Sequence, residues 1–350
     1  MVARQIRIGR SRSVGPNQPA LVVAELGQNH NGCPALAEAL IAAAAWAGAD
    51  AVKLVKRDLA SELSREARVR PYDSRHAYAA TYGEHRRALE LSADDHAALG
   101  AGARRLGLLH LATACDAPSA AMLDEIGVDA FKIASRDLAN LPLVRDVARR
   151  GRPVLLSTGM SGFDEVDAAV GELRDAGAEF VLLQCTSLYP TPFEHAHLRS
   201  LATLAARYDA PAGFSDHTPG VLLPPVAVAL GAVVIEKHLT LDRNMKGTDH
   251  ACSVEPDELR QLVADVRRVE AALGRSDKPL APGTEAVRAK LGRSLVTRVA
   301  LPAGTQIEEP MLALKCPGDG LSWFDRAGVL GRRLKRDLGA DEKITWDDIT

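Results

Sequence analysis

The chain has 350 residues, of which 47% are hydrophobic and 25% charged, and a net charge of −2. That composition excludes a disordered, collagen-like or coiled-coil chain, and near-neutrality argues against nucleic acid as the main partner. The length fits either two domains of similar size or one barrel-sized domain of about 250 residues with a small companion. The longest apolar run, residues 39–47, is too short to span a bilayer. Residues 1–12 are basic but lead into no apolar stretch, so no secretory signal is expected. Five cysteines, at 33, 115, 185, 252 and 316, are scattered without CxxC spacing. They read as reduced thiols of a cytoplasmic protein and not as a disulfide framework or zinc site.

In chain order, the spacing predicts strands at 20–26, 49–55, 106–112, 130–134, 153–157, 180–184, 212–215 and 232–238. They are continuous apolar runs, as expected of parallel strands covered on both faces. Helical stretches lie between them, at 34–47, 92–105, 116–126, 141–150, 163–176 and 198–208. Most are followed by a glycine just before the next strand, the usual helix stop. Eight such units between residues 20 and about 275 match the count and size of a TIM (β/α)8 barrel. A doubly wound sheet is the alternative, but no GxGxxG follows the first strand. The long interval between the second and third strands makes 58–87 an insertion on the side where lids sit. The domains are then a barrel at 1–275, a linker at 276–290 and a small β-rich domain at 291–350. About 60 residues are marginal for an independent core, so the last unit is expected to dock on something larger.

Catalytic groups of TIM barrels lie at the C-terminal ends of the strands. Those ends carry Glu25, Lys53, Thr113, Lys132 with Ser135, Ser157 with Thr158, Thr186 with Ser187, Ser215 with Asp216 and His217, and Glu236 with His238. Each has an ordinary alternative. Glu25 could cap a helix or pair with an arginine, the lysines could balance buried carboxylates, and the hydroxyls could be N-caps. The joint pattern is harder to explain that way. Only ten of 43 basic residues are lysine, and Lys53, Lys132 and Lys237 lie inside apolar runs. Lysines and hydroxyls facing one mouth suit a phosphate or carboxylate. His217 and His238 end neighbouring strands about 4.8 Å apart, close enough to share an ion or simply to be two hydrogen-bonded imidazoles. Asp249, in the following loop, could add a ligand or a substrate contact.

At this point the motifs become recognisable. AELGQNHNG (24–32), DAVKL (50–54), FKIAS (131–135), LLSTGM (155–160), CTSLYPTP (185–192), GFSDHTPG (213–220), EKHLTLD (236–242) and KGTDH (246–250) resemble the sialic acid synthase family. RSLVTRVALPAGTQI (293–307) through KCPGDG (315–320) is similar to that family's antifreeze-like (SAF) domain. The resemblance implies condensation of phosphoenolpyruvate with N-acetylmannosamine or a related amino-sugar aldose, with loss of phosphate by C–O cleavage. It implies phosphoenolpyruvate binding by Lys53, Thr113, Lys132, Ser135, Ser157 and Ser215, and a divalent metal, Mn2+ or Mg2+, on His217 and His238. Glu25 and Glu236 match catalytic positions of the family, and Asp137 stands where many members have Glu, near the reacting carbons. Ser187, Tyr189, Asp249 and Cys316 fall on the aldose side. The family further implies a domain-swapped homodimer in which each SAF domain covers the partner's barrel mouth.

The departures from the family cluster on the aldose side. Val55 replaces a common Gln, Ser187 a common Asn, and Cys316 an Arg that reaches the sugar, so the same chemistry on a different aldose is a second reading. Two further classes compete: a Schiff-base aldolase using Lys132 or Lys237, and a non-catalytic carbohydrate-binding protein.

Overall fold

The computed structural model describes residues 5–10 and 12–350. Residues 1–4 and 11, part of the basic stretch read for a leader, lie outside the described residues. The chain divides into two compact units, Met1–Gly274 and Arg275–Thr350.

The first unit opens with a hairpin of β1 (Ile6–Ile8) and β2 (Arg12–Val14) that was not expected from the sequence. Eight parallel strands then close a barrel: β3 (Leu21–Gly27), β4 (Ala51–Lys56), β5 (Leu109–Ala114), β6 (Ala130–Ile133), β7 (Val154–Ser157), β8 (Phe180–Cys185), β9 (Ala212–Asp216) and β10 (Val234–His238). The last pairs with the first, β10 with β3. The third barrel strand starts later than its apolar run suggests. Leu106 still belongs to the preceding helix end, its N–H bonded to the carbonyls of Gly102 and Ala103, and Gly107 makes the turn at φ +80°.

Helices cover the outside. Helix Pro34–Ala47 starts on a proline and stops at Gly48, whose left-handed backbone returns its N–H to the helix carbonyls. Helix Ala93–Arg105 begins in a capping box formed by Ser92 and Asp95. Between β4 and β5 the insertion folds as helices Leu59–Glu62, Arg65–Val69 and Tyr82–Ala88. It is tied to the loop after β10 by the Tyr78 hydroxyl, which donates to the Lys246 carbonyl at 2.6 Å.

Alternation along each strand splits the barrel interior into an apolar and a polar level. Val23, Ala51, Leu111, Ala130, Leu155 and Val234 pack at the N-terminal level, where Ile6, Ile8 and Val14 of the hairpin close the end. Two residues further along the same strands stand Glu25, Lys53, Thr113, Lys132, Ser157 and Glu236, all buried. The polar residues therefore meet at the C-terminal end of a barrel plugged below. Among the described residues, no helix is long and apolar enough to cross a membrane.

In the second unit, residues within the stretch expected to be linker form helix Thr284–Leu291. Antiparallel β11 (Ser294–Thr297) and β12 (Leu312–Lys315) follow. Their apolar side joins Leu301, Ile307, Leu334, Leu338 and Ile344 in a small core of its own.

Candidate active site

Strand register sets which polar groups become neighbours. Glu25 lies opposite both His238 of β10 and Lys53 of β4, and Ser215 lies opposite Glu236. A register shift between Glu25 and Gly27 locally disturbs β3, as a bulge does when it re-aims a side chain. The resulting cavity, about 240 Å3, is lined by Glu25, Lys53, Thr113, Lys132, Ser135, Ser157, Ser187, Tyr189, Ser215, His217, Glu236, His238 and Asp249. That size accommodates small metabolites, and its few convergent polar groups are what such sites use to fix orientation.

Four charges alternate across its floor. Lys53 Nζ stands 2.7 Å from Glu25 Oε2 and 3.7 Å from Glu236 Oε2, and it donates to Thr113 Oγ1 at 2.9 Å. Lys132 Nζ donates to Glu236 Oε1 at 2.6 Å, and the Ser215 hydroxyl donates to the same oxygen at 2.9 Å. Burial pushes the Glu25 carboxyl up to about 7 against the pull of Lys53. Burial acts on Glu236 in the same sense, but Lys132 and Lys53 outweigh it and hold that carboxyl well below the usual carboxylate range. The two carboxylates thus have different tasks: Glu236 stays ionised between the lysines, whereas Glu25 can exchange a proton near neutrality. Ser157 Oγ is buried and finds no hydrogen-bond partner among the described residues, so it is a free hydroxyl aimed into an anion-friendly space.

The imidazoles occupy the β9–β10 side. The rings of His217 and His238 are 5.3 Å apart between centroids, and Tyr189 packs 4.1 Å from His217. His217 Nδ1 lies 2.9 Å from the Thr186 carbonyl, which can only accept. The proton therefore sits on Nδ1 and Nε2 keeps its lone pair. Burial, reinforced by the neighbouring His238, lowers the His217 imidazole to about 3, and burial lowers His238 to about 4. Both are neutral at physiological pH. His238 Nδ1 has no hydrogen-bond partner among the described residues. Two neutral imidazoles, one tautomer fixed by a carbonyl and one nitrogen unpartnered, fit a divalent cation. Among the described residues, no three His, Cys, Asp or Glu side chains converge on one point. A cation held by these two imidazoles alone would keep further positions open to substrate or water.

Gly27 makes room for this arrangement. Its φ is +51°, and a Cβ there would stand 3.2 Å from Glu25 Oε1, 3.3 Å from His238 Cε1 and 3.5 Å from Asp249 Oδ2. Burial would raise the Asp249 carboxyl, but His238 outweighs it and lowers it.

Two site residues named from the sequence are not among those lining this cavity. Asp137 does not line it. It sits behind Arg136 with Oδ2 3.4 Å from Nε, and burial raises it to about 6 despite that guanidinium. From that turn it is Arg136 that reaches the cavity wall, because the turn Ser135–Asp137 spends its inward position on Ser135. Cys316 belongs to the second unit, is exposed, and donates its thiol to the Lys290 carbonyl. Lys237, weighed as a Schiff-base lysine, is wholly buried and faces away from the cavity. Arg57, Arg136, Cys185 and Gly27 line the site without having been singled out from the sequence. Only Gly27, two residues past the charged Glu25, carried a readable signal.

The NeuB family model matches residues 40–278 and the SAF domain model residues 292–350. Over 347 residues the chain is 40% identical to N-acetylneuraminate-9-phosphate synthase of Mus musculus, covering 99% of this chain and 97% of that one. It is 35% identical to N,N'-diacetyllegionaminic acid synthase of Legionella pneumophila, with 96% of each covered. Among solved structures, the N-acetylneuraminic acid synthetase of Leptospira borgpetersenii aligns with a TM-score of 0.71 at 34% identity, over 81% of this chain and 95% of that one. The chain belongs to the NeuB family, the sialic acid synthases, with a barrel followed by a SAF domain.

Proposed function

We propose that the chain condenses phosphoenolpyruvate with an amino-sugar aldose, giving a nonulosonic α-keto acid and inorganic phosphate by C–O cleavage. One observation carries this reading: a wall of Lys53, Lys132 and hydroxyls, that of Ser157 unpartnered among the described residues, faces a neutral imidazole pair across one cavity. The names of the relatives, synthases of acylated nonulosonic acids, support the product class.

In this reading Lys53, Lys132, Thr113, Ser135, Ser157 and Ser215 bind the carboxylate and phosphate of phosphoenolpyruvate. Buried ammonium groups held by the ionised Glu236 and by the contact of Lys53 with Glu25 keep the site assembled before substrate arrives. His217 and His238 would hold Mn2+ or Mg2+, which supplies Lewis-acid polarisation of the aldehyde oxygen. The enol carbon C3 attacks the aldehyde carbon, and positive charge develops at C2 beside the ionised Glu236. Glu25, poised near neutrality, takes the proton from the water that adds to C2. That proton ends on the former aldehyde oxygen, which becomes a hydroxyl; the C2–O bond to phosphate then breaks, the C2 hydroxyl becomes a carbonyl, and its proton leaves with phosphate. Tyr189 and Asp249, on the imidazole side, and Ser187 orient the aldose. The reading includes a homodimer, with the SAF domain of one chain covering the partner's barrel mouth. The 91% exposure of Phe324 in the second unit supports a partner surface there.

The test is phosphate release from phosphoenolpyruvate with a panel of aldoses: N-acetylmannosamine, its 6-phosphate, and differently acylated analogues. Product mass identifies the acceptor. Phosphate release with none of them would remove the proposal in favour of sugar binding alone.

A further inference from the structure

Behind the two imidazoles lies an ion pair that the cavity does not use. Lys237 and Asp216 are direct register partners on β10 and β9, and each immediately precedes one imidazole, His238 and His217. Alternation turns His217 and His238 into the cavity and these two residues out of it. Both side chains are completely buried. Lys237 Nζ donates to Asp216 Oδ2 at 2.8 Å and to the Thr218 carbonyl at 2.5 Å. Asp216 Oδ1 accepts from the Thr218 N–H at 2.9 Å and from its hydroxyl at 2.8 Å. His217 is therefore held from both flanks, by residues 216 and 218, which the single ammonium ties together.

The preceding pair on the same outer face, Phe214 and Ile235, is apolar and belongs to the hydrophobic core. An apolar pair would serve stability as well at the next position, since a buried ion pair is a poor source of net stability. What it adds is direction. Hydrogen bonds from one ammonium and one carboxylate fix the turn after β9, and thereby the angle at which His217 leaves the strand.

We infer that Lys237 and Asp216 are positioning residues that set His217 against His238 so that both imidazoles can bind one divalent cation. The inference rests on the metal reading above. Residues in such supporting roles typically change metal affinity by about 10- to 100-fold when lost.

The experiment uses the full chain and Mn2+ alone, with binding followed by the EPR signal of free Mn2+. The double variant Asp216→Asn/Lys237→Met removes both charges together and leaves no uncompensated buried ion. It is expected to fold and to bind Mn2+ about tenfold more weakly or worse. A folded double variant that binds within about threefold of wild type overturns the inference. Should it not fold, Thr218→Val removes only the hydroxyl bond to Asp216, and unchanged Mn2+ affinity in that variant overturns it equally. The ring nitrogens, read by 15N NMR of labelled histidine without metal, give a second readout. His217 is expected as a single Nδ1–H tautomer in wild type and as a mixture in the double variant. If the wild-type chain binds no Mn2+, the metal reading fails separately, and an unchanged tautomer in the variant still overturns the positioning role.

Discussion

Glu25 and Lys53 stand opposite each other on adjacent barrel strands, with Oε2 and Nζ 2.7 Å apart, both almost without solvent exposure. Despite that contact, burial keeps the Glu25 carboxyl up at about 7. A carboxyl that gains and loses its proton near neutrality beside an ammonium is suited to proton transfer more than to structure. Glu25→Gln keeps the shape and removes the proton acceptor. The expected result is a kcat lower by roughly 10^2- to 10^4-fold with the KM for phosphoenolpyruvate little changed. Steady-state kinetics on the purified variant decides it. A kcat near wild type assigns Glu25 to charge balance only.

Gly27→Ala adds one methyl where Glu25, His238 and Asp249 already converge. The left-handed backbone costs an alanine on the order of 1 kcal/mol, too little to unfold a barrel. The cost falls on the site, because the methyl displaces the groups around it. A folded protein by circular dichroism with kcat/KM reduced by about 100-fold is expected, since small misplacements carry such losses. Near-normal activity would show that the space at Gly27 is not needed.

Three histidines outside the cavity chemistry predict the acid limit of the fold. Burial lowers His30 to about 4, His96 to about 3 and His110 to about 4, against 6.5 for an unperturbed imidazole. None of the ring nitrogens of His96 and His110 has a hydrogen-bond partner among the described residues. The unfolded chain binds protons that the folded one refuses. Stability is therefore fully present above pH 6.5 and is lost as pH falls from there toward 4. A tenfold weakening of proton affinity corresponds to about 1.4 kcal/mol, so together the loss is several kcal/mol. Urea midpoints should hold between pH 7.5 and about 6.5 and fall from there to pH 4.5, and His96→Leu should flatten the fall by about one proton. A flat wild-type curve contradicts the assignment.

Chelation separates the synthase reading from a Schiff-base aldolase. EDTA should abolish turnover, and Mn2+ or Mg2+ should restore it. His217→Asn should need far more metal for the same rate. Borohydride in the presence of substrate should trap nothing on Lys132, whose ammonium is bonded to Glu236 at 2.6 Å. A trapped adduct at that lysine would reverse the choice.

The barrel was legible because parallel buried strands write themselves as apolar runs, and the polar strand ends stood out against them. Their register was not legible. Nothing local says that Lys132 meets Glu236 across 104 positions of sequence, since closure of the barrel alone brings β6 and β10 to face one cavity. The hairpin at Ile6–Ile8 escaped notice because three-residue strands give too short a period. Where Asp137 falls relative to the cavity was not legible for a related reason. In a tight turn one residue decides which side chain faces inward, and sequence spacing does not resolve one residue.

The central claim is loss of phosphate by C–O cleavage, and the fate of one oxygen tests it most directly. Phosphoenolpyruvate carrying 18O in the bridging position is turned over with the accepted aldose, and both products are weighed. C–O cleavage predicts the label in inorganic phosphate and none in the keto acid. Label retained at C2 of the keto acid would mean P–O cleavage, and Glu25 and the attacking water could not then act as proposed.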